Sequence, residues 1–182
     1  MARMAKKNVE EPGLLISLAK DVAVALVIAG VVLYFIRPTI VQQTSMQDTM
    51  NPNDYLIMYR QAYRTKTPQR GDIIIFQSEL LDDNGKEKLL IKRVIGLPGD
   101  KIEIKDDYVY INGEKYEEDY LKDGYTTVDG TWNVPEDCYF VMGDNRVDSV
   151  DSRYEEVGYV EKSQIQGKVV LRLFPFNRIQ TF

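Results

Sequence analysis

Apolar residues form one long block near the N-terminus, and after it they occur in short runs interrupted by polar positions. Residues 14–36 are apolar apart from Ser17, Lys20 and Asp21. A helix rises about 1.5 Å per residue, so a helix over this block is about 35 Å long, enough to cross a bilayer. Lys20 is expected near one interface, where its long stem can reach the headgroups. The pattern predicts a single transmembrane anchor.

Basic residues flank this block unequally. Three of them precede it closely, whereas only Arg37 closely follows it. Loops rich in Lys and Arg stay on the cytoplasmic side of a membrane, so the N-terminus is expected in the cytoplasm. The expected divisions of the chain are a cytoplasmic N-terminus over 1–13, the transmembrane anchor over 14–36 and an extracytoplasmic domain over 37–182.

A cleavable secretory signal also has a basic start followed by an apolar stretch. Its cleavage site requires small residues in an A-x-A-like pattern after that stretch. Here the block is followed by Arg37 and Pro38 and ends in bulky Phe35 and Ile36. The pattern therefore favours an uncleaved anchor over a signal peptide, and a buried helix is the remaining alternative.

The rest of the chain carries the pattern of strands. Pro38 is expected to end the helix. Turn residues at 83–85 and at 106–107 predict two hairpins, and the acidic segment 116–131 is expected to be a looping insertion. Runs of β-branched and aromatic residues predict the strands themselves, which cover 39–44, 55–63, 73–77, 89–95, 139–142, the hairpin 102–111 and a ribbon over 158–176.

These elements predict a mainly β fold. A single N-terminal transmembrane helix is followed by one mixed β-sheet, barrel-like domain, with no further helix of normal length. The chain contains no histidine, which excludes Ser/His/Asp and Cys/His catalysis and His-ligated zinc. Cys138 is the only cysteine, so no intramolecular disulfide can form, and this thiol is expected to be structural.

Charge argues against nucleic acid as a partner. Residues 38–182 contain 18 basic and 25 acidic side chains, and 18 − 25 = −7. A domain of this net charge repels phosphates, so no nucleic-acid binding is expected.

Without imidazole, a lysine is the remaining strong base that can activate a serine. Ser45 follows the first predicted strand, where a serine is ordinarily a capping or solvated hydroxyl. Lys92 lies in an apolar strand, and its local pattern leaves two interpretations open. An edge-strand lysine would face water, whereas a buried one could lower its pKa from about 10.4 toward 7 or 8 and act as a base. A Ser/Lys dyad is therefore chemically possible.

A polar loop over 143–153 follows the predicted strand 139–142. Its aspartates could bind calcium, but their spacing is not that of the twelve-residue EF-hand loop and the central glycine is missing. Alternating aspartates and arginines at this density instead predict ion pairs that hold the loop in shape.

Together these segments resemble the bacterial type I signal peptidases, membrane-bound serine proteases with a Ser/Lys dyad. The resemblance covers nearly the whole chain and depends on the order of the motifs. They are the anchor, Ser45 and Met46 with Thr49, Gly71 and Asp72, the stretch 92–100, and the stretch 143–146 with Ser149, Asp151, Ser152 and Arg153.

The resemblance implies a role for each residue of the site. Ser45 would attack the scissile carbonyl, and Lys92 would take its proton and return one to the leaving amine. Ser149 would hydrogen-bond the neutral amine, and the Ser45 backbone N–H would form part of the oxyanion hole. The residues expected to form supporting ion pairs are Asp144, Arg146, Asp151 and Arg153.

The sequence departs from the family pattern on both sides of Ser45. Gln43 replaces the usual serine or glycine, and Asp48 replaces a proline, which leaves the second oxyanion donor and the turn shape open. The family binds its peptide as an extended strand and cuts after small residues in an Ala-x-Ala-like pattern. The residues expected in the substrate pocket, with simple core packing as the alternative, are Gln43, Met46, Met50, Leu90 and Ile91.

The expected function is removal of N-terminal signal peptides from exported pre-proteins, by a serine endopeptidase without metal or cofactor. Its expected partners are these pre-proteins and membrane lipid, with the secretion translocon as a further candidate, and its expected location is the cell membrane. A self-cleaving Ser/Lys protein of the repressor type would need a DNA-reading domain where the anchor lies. An inactive, peptide-binding relative is the other alternative, favoured by Gln43 and Asp48.

Overall fold

The computed structural model describes residues 13–121 and 126–182. The chain divides into two compact units, residues 1–35 and 36–182. In the first unit, helix α1 (Leu14–Phe35) has 22 residues and buries none of them. It is long and apolar enough to cross a membrane by length and composition, at about 33 Å. The prediction of one apolar N-terminal helix is confirmed.

Antiparallel strands are the main regular elements of the second unit, which confirms the predicted mainly β fold. Within the described residues the strands are β1 (Ile36–Ile40), β2 (Tyr55–Tyr59), β3 (Ile73–Leu81), β4 (Glu87–Gly96), β5 (Lys101–Lys105), β6 (Tyr108–Ile111), β7 (Glu114–Lys115), β8 (Gly130–Asn133), β9 (Cys138–Met142), β10 (Val160–Glu161), β11 (Ile165–Phe174) and β12 (Gln180–Thr181). Two short 3-10 helices, Lys162–Gln164 and Phe176–Arg178, flank β11.

The strands form two sheets. The larger has the order β1-β2-β11-β3-β4-β9-β10, with β12 added to β11, and the smaller has the order β7-β6-β5-β8. Strand β4 lies inside the larger sheet, where Lys92 pairs with Ile74 of β3 and Arg93 pairs with Met142 of β9. Lys92 is 1% exposed. An edge-strand lysine facing water is therefore excluded.

Three apolar clusters fill the second unit. One contains Met46 and Met50 with residues of β2 and β3. A second joins the two sheets through Ile95 and Phe140 on one side and the β5–β6 hairpin on the other. The third contains Leu90 and residues of β3 and β9. Core packing thus sets the positions of the segment 45–50, of β4 and of β9.

The first strand begins and ends earlier than predicted. Helix α1 ends at Phe35, and Pro38 lies within β1 opposite Ile57 instead of stopping the helix. Proline has no N–H to donate, and it is tolerated there because β1 is an edge strand. Strand β1 ends at Ile40, so residues 41–44 lead to Ser45 outside any strand.

Other predicted elements differ mainly at their ends. The strand 55–63 ends at Tyr59, and the ribbon 158–176 is divided by the 3-10 helix Lys162–Gln164. The hairpin turn at 106–107 is present, with positive φ at both aspartates, as the primed turns of hairpins require. The segment 116–131 was expected to be a loop throughout, but it contains the start of β8, while 122–125 lie outside the described residues.

Candidate active site

Ser45 lies at the start of a tight turn whose apolar side chains anchor it in the core. The N–H of Gln47 donates to the carbonyl of Thr44 (2.8 Å), and the N–H of Met50 donates to that of Met46 (2.7 Å). Met46 and Met50 are 1% and 0% exposed. The buried methionines hold the turn against the first apolar cluster, so the position of the Ser45 hydroxyl is set by packing.

The amine of Lys92 lies against this hydroxyl. Its Nζ is 2.6 Å from Oγ of Ser45, although the two residues are 47 positions apart in sequence. Both side chains are buried. A distance this short lets a proton pass directly from the hydroxyl to a neutral amine.

Burial lowers the pKa of Lys92 to about 8 from its ordinary value of 10.5. Desolvation of the ammonium is the largest cause. The carboxylates of Asp151 and Asp144 oppose it by raising the pKa, and the guanidinium of Arg153 adds to it. With this pKa about a tenth of the amines are neutral at pH 7, compared with a few in ten thousand for a free lysine.

Asp151 is the centre of the polar loop. One of its carboxylate oxygens, Oδ2, accepts from the hydroxyl of Ser149 (2.7 Å), the N–H of Gly143 (2.9 Å) and Nη2 of Arg153 (2.8 Å). The carboxylate is completely buried, and Arg153 also donates to its other oxygen. The Ser149 hydroxyl gives its hydrogen to Asp151, which leaves the lone pairs of the Ser149 oxygen able to accept from an amine. The role of Ser149 as a support for Lys92 stays a prediction.

Gly143 has no room for a side chain. A Cβ at this position would lie 2.2 Å from Oγ of Ser149 and 2.3 Å from the carbonyl oxygen of Ser45. Real Cβ contacts are essentially never this short, so only glycine lets the loop approach Ser45. The turn that begins at Ser45 and the loop with Ser149 are therefore in direct backbone contact.

The remaining charged residues of the loop pair with partners outside it. Asp144 forms a bidentate pair with Arg93 (2.9 and 2.7 Å). Arg146 pairs with Glu118, donating from Nη1 to Oε2 at 2.9 Å. The ring of Tyr120 lies 3.9 Å from the guanidinium of Arg93. Glu118 and Tyr120 were not predicted, because they belong to an acidic segment without any periodic pattern.

A cavity of about 390 Å³ extends from Ser45 along residues 37–43. Gln43, Met46 and Ile91, all expected in the pocket, line it together with Leu89 and Ile75. Met50 and Leu90 do not line it and instead belong to the first and third apolar clusters. Alternation along β4 explains this difference: Leu89 and Ile91 point to one face, and Leu90 points to the opposite one.

A serine hydroxyl beside a buried, easily deprotonated lysine, next to an elongated cavity, defines a serine protease in which lysine replaces histidine as the base. The sequence profile of the family described as "Signal peptidase, peptidase S26" matches residues 15–174. The chain therefore belongs to the signal peptidase family, peptidase S26, and it is a serine endopeptidase.

The chain is also similar to individual relatives and to a solved structure. The chain is 36% identical to a Signal peptidase I of Bacillus amyloliquefaciens over 186 aligned positions, covering 96% of each chain. It is 33% identical to a Probable signal peptidase I-2 of Synechocystis, covering 90% of this chain and 75% of that protein. A crystal structure of a signal peptidase I from Enterococcus faecalis V583 is 40% identical, covering 57% of this chain and 97% of that chain with a TM-score of 0.49.

Proposed function

We propose that Ser45 and Lys92 are the nucleophile and general base with which this chain removes N-terminal signal peptides from exported pre-proteins. The observation that carries the proposal is the 2.6 Å contact between the Lys92 amine and the Ser45 hydroxyl, both buried. The relatives named Signal peptidase I support the choice of substrate.

The chemistry proceeds in two stages. Oγ of Ser45 attacks the scissile carbonyl while its proton passes to Nζ of Lys92, and the tetrahedral intermediate collapses when Lys92 protonates the leaving amine. The signal peptide then remains as an ester on Ser45. Water attacks this ester after giving a proton to the neutral Lys92, and the returning proton restores the serine hydroxyl.

The backbone N–H of Ser45 is the proposed donor to the oxyanion. Within residues 13–121 and 126–182 it donates no hydrogen bond to another residue. A free donor beside the nucleophile can stabilise the negative oxygen of the tetrahedral intermediate. Ser149 is proposed to orient the Lys92 amine, since its own hydrogen is engaged by Asp151.

The cavity beside Ser45 is the proposed site for an extended peptide. Residues 37–43 line it together with Leu89 and Ile91 of β4. An extended chain places alternate side chains in such a cleft, so its apolar walls suit the short residues of an Ala-x-Ala-like pattern. Gln43 reaches the same cavity and is positioned to contact the substrate.

Helix α1 is the proposed membrane anchor, with its N-terminus in the cytoplasm and residues 37–182 on the other side. The excess of basic residues before the helix supports this orientation. Lipid is the proposed partner of α1, and the secretion translocon is a further proposed partner. Anchoring raises the concentration of the enzyme at the surface where signal peptides emerge.

The full chain in lipid vesicles, mixed with a pre-protein, tests the proposal. Wild type should release the signal peptide, and Ser45→Ala should lose all measurable cleavage. Ser163→Ala, a serine in the 3-10 helix Lys162–Gln164, is the matched control and should cleave normally. Equal cleavage by wild type and Ser45→Ala would refute the nucleophile, and a folded wild type without activity would favour an inactive, peptide-binding relative.

A further inference from the structure

Three hydrogen bonds join the polar loop to the residues beside the nucleophile. The hydroxyl of Thr44 donates to Oδ2 of Asp148 at 2.5 Å. The side-chain amide of Asn145 donates to the carbonyl of Thr44 at 3.2 Å, and the backbone N–H of Asn145 donates to the carbonyl of Ser45 at 3.0 Å. None of these bonds reaches the Ser45 hydroxyl or the Lys92 amine, so their effect must pass through the backbone.

Peptide geometry shows what the backbone bonds do. A trans peptide group is planar, so the carbonyl of residue 44 and the N–H of residue 45 point in opposite directions within one plane. Holding the Thr44 carbonyl therefore aims the N–H of Ser45 the other way. That N–H is the free donor beside the nucleophile, and the stabilisation of an oxyanion depends on how well such a donor is aimed beforehand.

Thr44 is exposed and lies outside any strand, so no sheet hydrogen bond holds its peptide plane. Its carbonyl also accepts from Gln47 within the turn, at 2.8 Å. This bond lies within the turn, so it does not fix the peptide plane between residues 44 and 45 relative to the polar loop 143–153. Asn145 and Asp148 provide the link to that loop, which is itself tied to Asp151 through the N–H of Gly143.

We propose that Asn145 and Asp148 are positioning residues that clamp Thr44 and thereby aim the Ser45 N–H at the oxyanion. The inference rests on the proposed function of Ser45 and deepens it. Asp148 holds the side chain of Thr44 and Asn145 holds its carbonyl, so the peptide plane before the nucleophile is fixed at two points.

The expected effects are moderate because other bonds remain. Complete removal of one oxyanion donor lowers kcat by about 100- to 1,000-fold. Loss of the Asn145 amide leaves the Gln47 bond and the Asn145 backbone bond in place, so we expect Asn145→Ala to lower kcat about 10- to 30-fold. Thr44→Val, which removes only a hydroxyl, should lower it about 3- to 10-fold.

Matched variants separate the clamp from general damage to the fold. Asp148→Val removes the acceptor for Thr44, whereas Asp148→Asn keeps an oxygen acceptor and should restore most of the lost kcat. Thr44→Ser keeps the hydroxyl and should be more active than Thr44→Val. Asp83→Val, in the exposed hairpin turn at 82–85, serves as the control that should leave cleavage unchanged.

The test measures kcat and KM of the full chain on a pre-protein over a range of pH, with thermal melting of each variant. Asn145→Ala and Thr44→Val should lower kcat with little change in KM and with no shift in the apparent pKa of the acid limb. A peptide aldehyde forms an adduct with serine in which a tetrahedral carbon bears an oxygen at the oxyanion position, so its affinity should fall in parallel with kcat.

Three results would overturn the clamp. One is an unchanged kcat in Asn145→Ala, and another is a shift in the apparent pKa of the acid limb large enough to account for the loss of rate. The third is a kcat in Asp148→Asn as low as that in Asp148→Val. If another variant melts at a lower temperature than wild type, the clamp is tested by Thr44→Val instead, because this substitution changes only an exposed side chain. If Ser45→Ala cleaves as well as wild type, the proposed nucleophile fails. If Ser45→Ala is inactive and these variants are fully active, only the clamp fails.

Discussion

Replacing Lys92 by methionine should abolish cleavage and at the same time make the folded protein more stable at pH 7. Methionine has a similar length and no charge, so it fills the same buried position without desolvating an ammonium group. The lysine is 1% exposed, and burial lowers its pKa to about 8 from 10.5. A depressed lysine pKa means that the folded state binds the proton less tightly than the unfolded state does.

The size of the effect follows from this difference in pKa. Each pKa unit corresponds to about 1.4 kcal/mol, so the buried ammonium costs about 3 kcal/mol of folding free energy at pH 7. The variant also loses the hydrogen bond to Ser45, which contributes about 1 kcal/mol. The expected net gain is about 2 kcal/mol, or an increase of about 4–8 °C in Tm for a chain of this length.

The difference in stability between Lys92→Met and wild type should change with pH. Below pH 8 the lysine is charged in both states and the cost is constant. Between pH 8 and 10.5 it is neutral in the folded state and charged in the unfolded state, so the stability of wild type rises with pH. Above pH 10.5 it is neutral in both states, and only the lost hydrogen bond separates the two proteins. The advantage of Lys92→Met should therefore vanish and then reverse.

Thermal melts of wild type and Lys92→Met in the same detergent, from pH 6 to 11, measure this difference directly. Other titrating groups are common to both proteins, so they cancel in the comparison. Replacement of an exposed lysine, Lys86→Met in the connection between β3 and β4, is the control and should show no such trend. A Lys92→Met variant that is less stable than wild type at pH 7, or a difference independent of pH, would refute a buried lysine with a depressed pKa.

Two further predictions concern the base and the pocket. Because only neutral Lys92 can accept the serine proton, kcat/KM should rise about tenfold per pH unit below pH 8 and level off above it, and a flat profile from pH 6 to 10 would exclude Lys92 as the base. Ile91→Ala, in the cavity wall, should change KM and the preferred residue before the cut. Leu90→Ala, in the core, should lower Tm and destabilise folding by about 2–5 kcal/mol with little change in specificity. Steady-state kinetics and melting that showed the opposite pattern would contradict the lining described for the cavity.

Much of the fold could be predicted from sequence because its signals are local. The apolar length of α1 and the alternation and turn residues of the hairpins depend on neighbouring positions only. The boundaries of β1 were wrong, since they depend on pairing with β2 about 20 residues later in the chain, which a local pattern does not contain. Pro38 illustrates this: it is compatible with a helix end and with an edge strand, and only the topology decides between them.

The sequence by itself determined the kind of chemistry. Without histidine, a lysine is the remaining strong base that can activate a serine, and the order of motifs predicts Ser45 and Lys92 for these roles. Only the tertiary structure decided that Lys92 is buried, that Arg146 pairs with Glu118, and that Leu89 rather than Leu90 lines the cavity. The physical reason is that burial, ion pairing and cavity shape arise between residues distant in sequence. The 2.6 Å contact of the dyad joins positions 47 residues apart, and it exists only once the sheet has placed β4 beside the nucleophile turn.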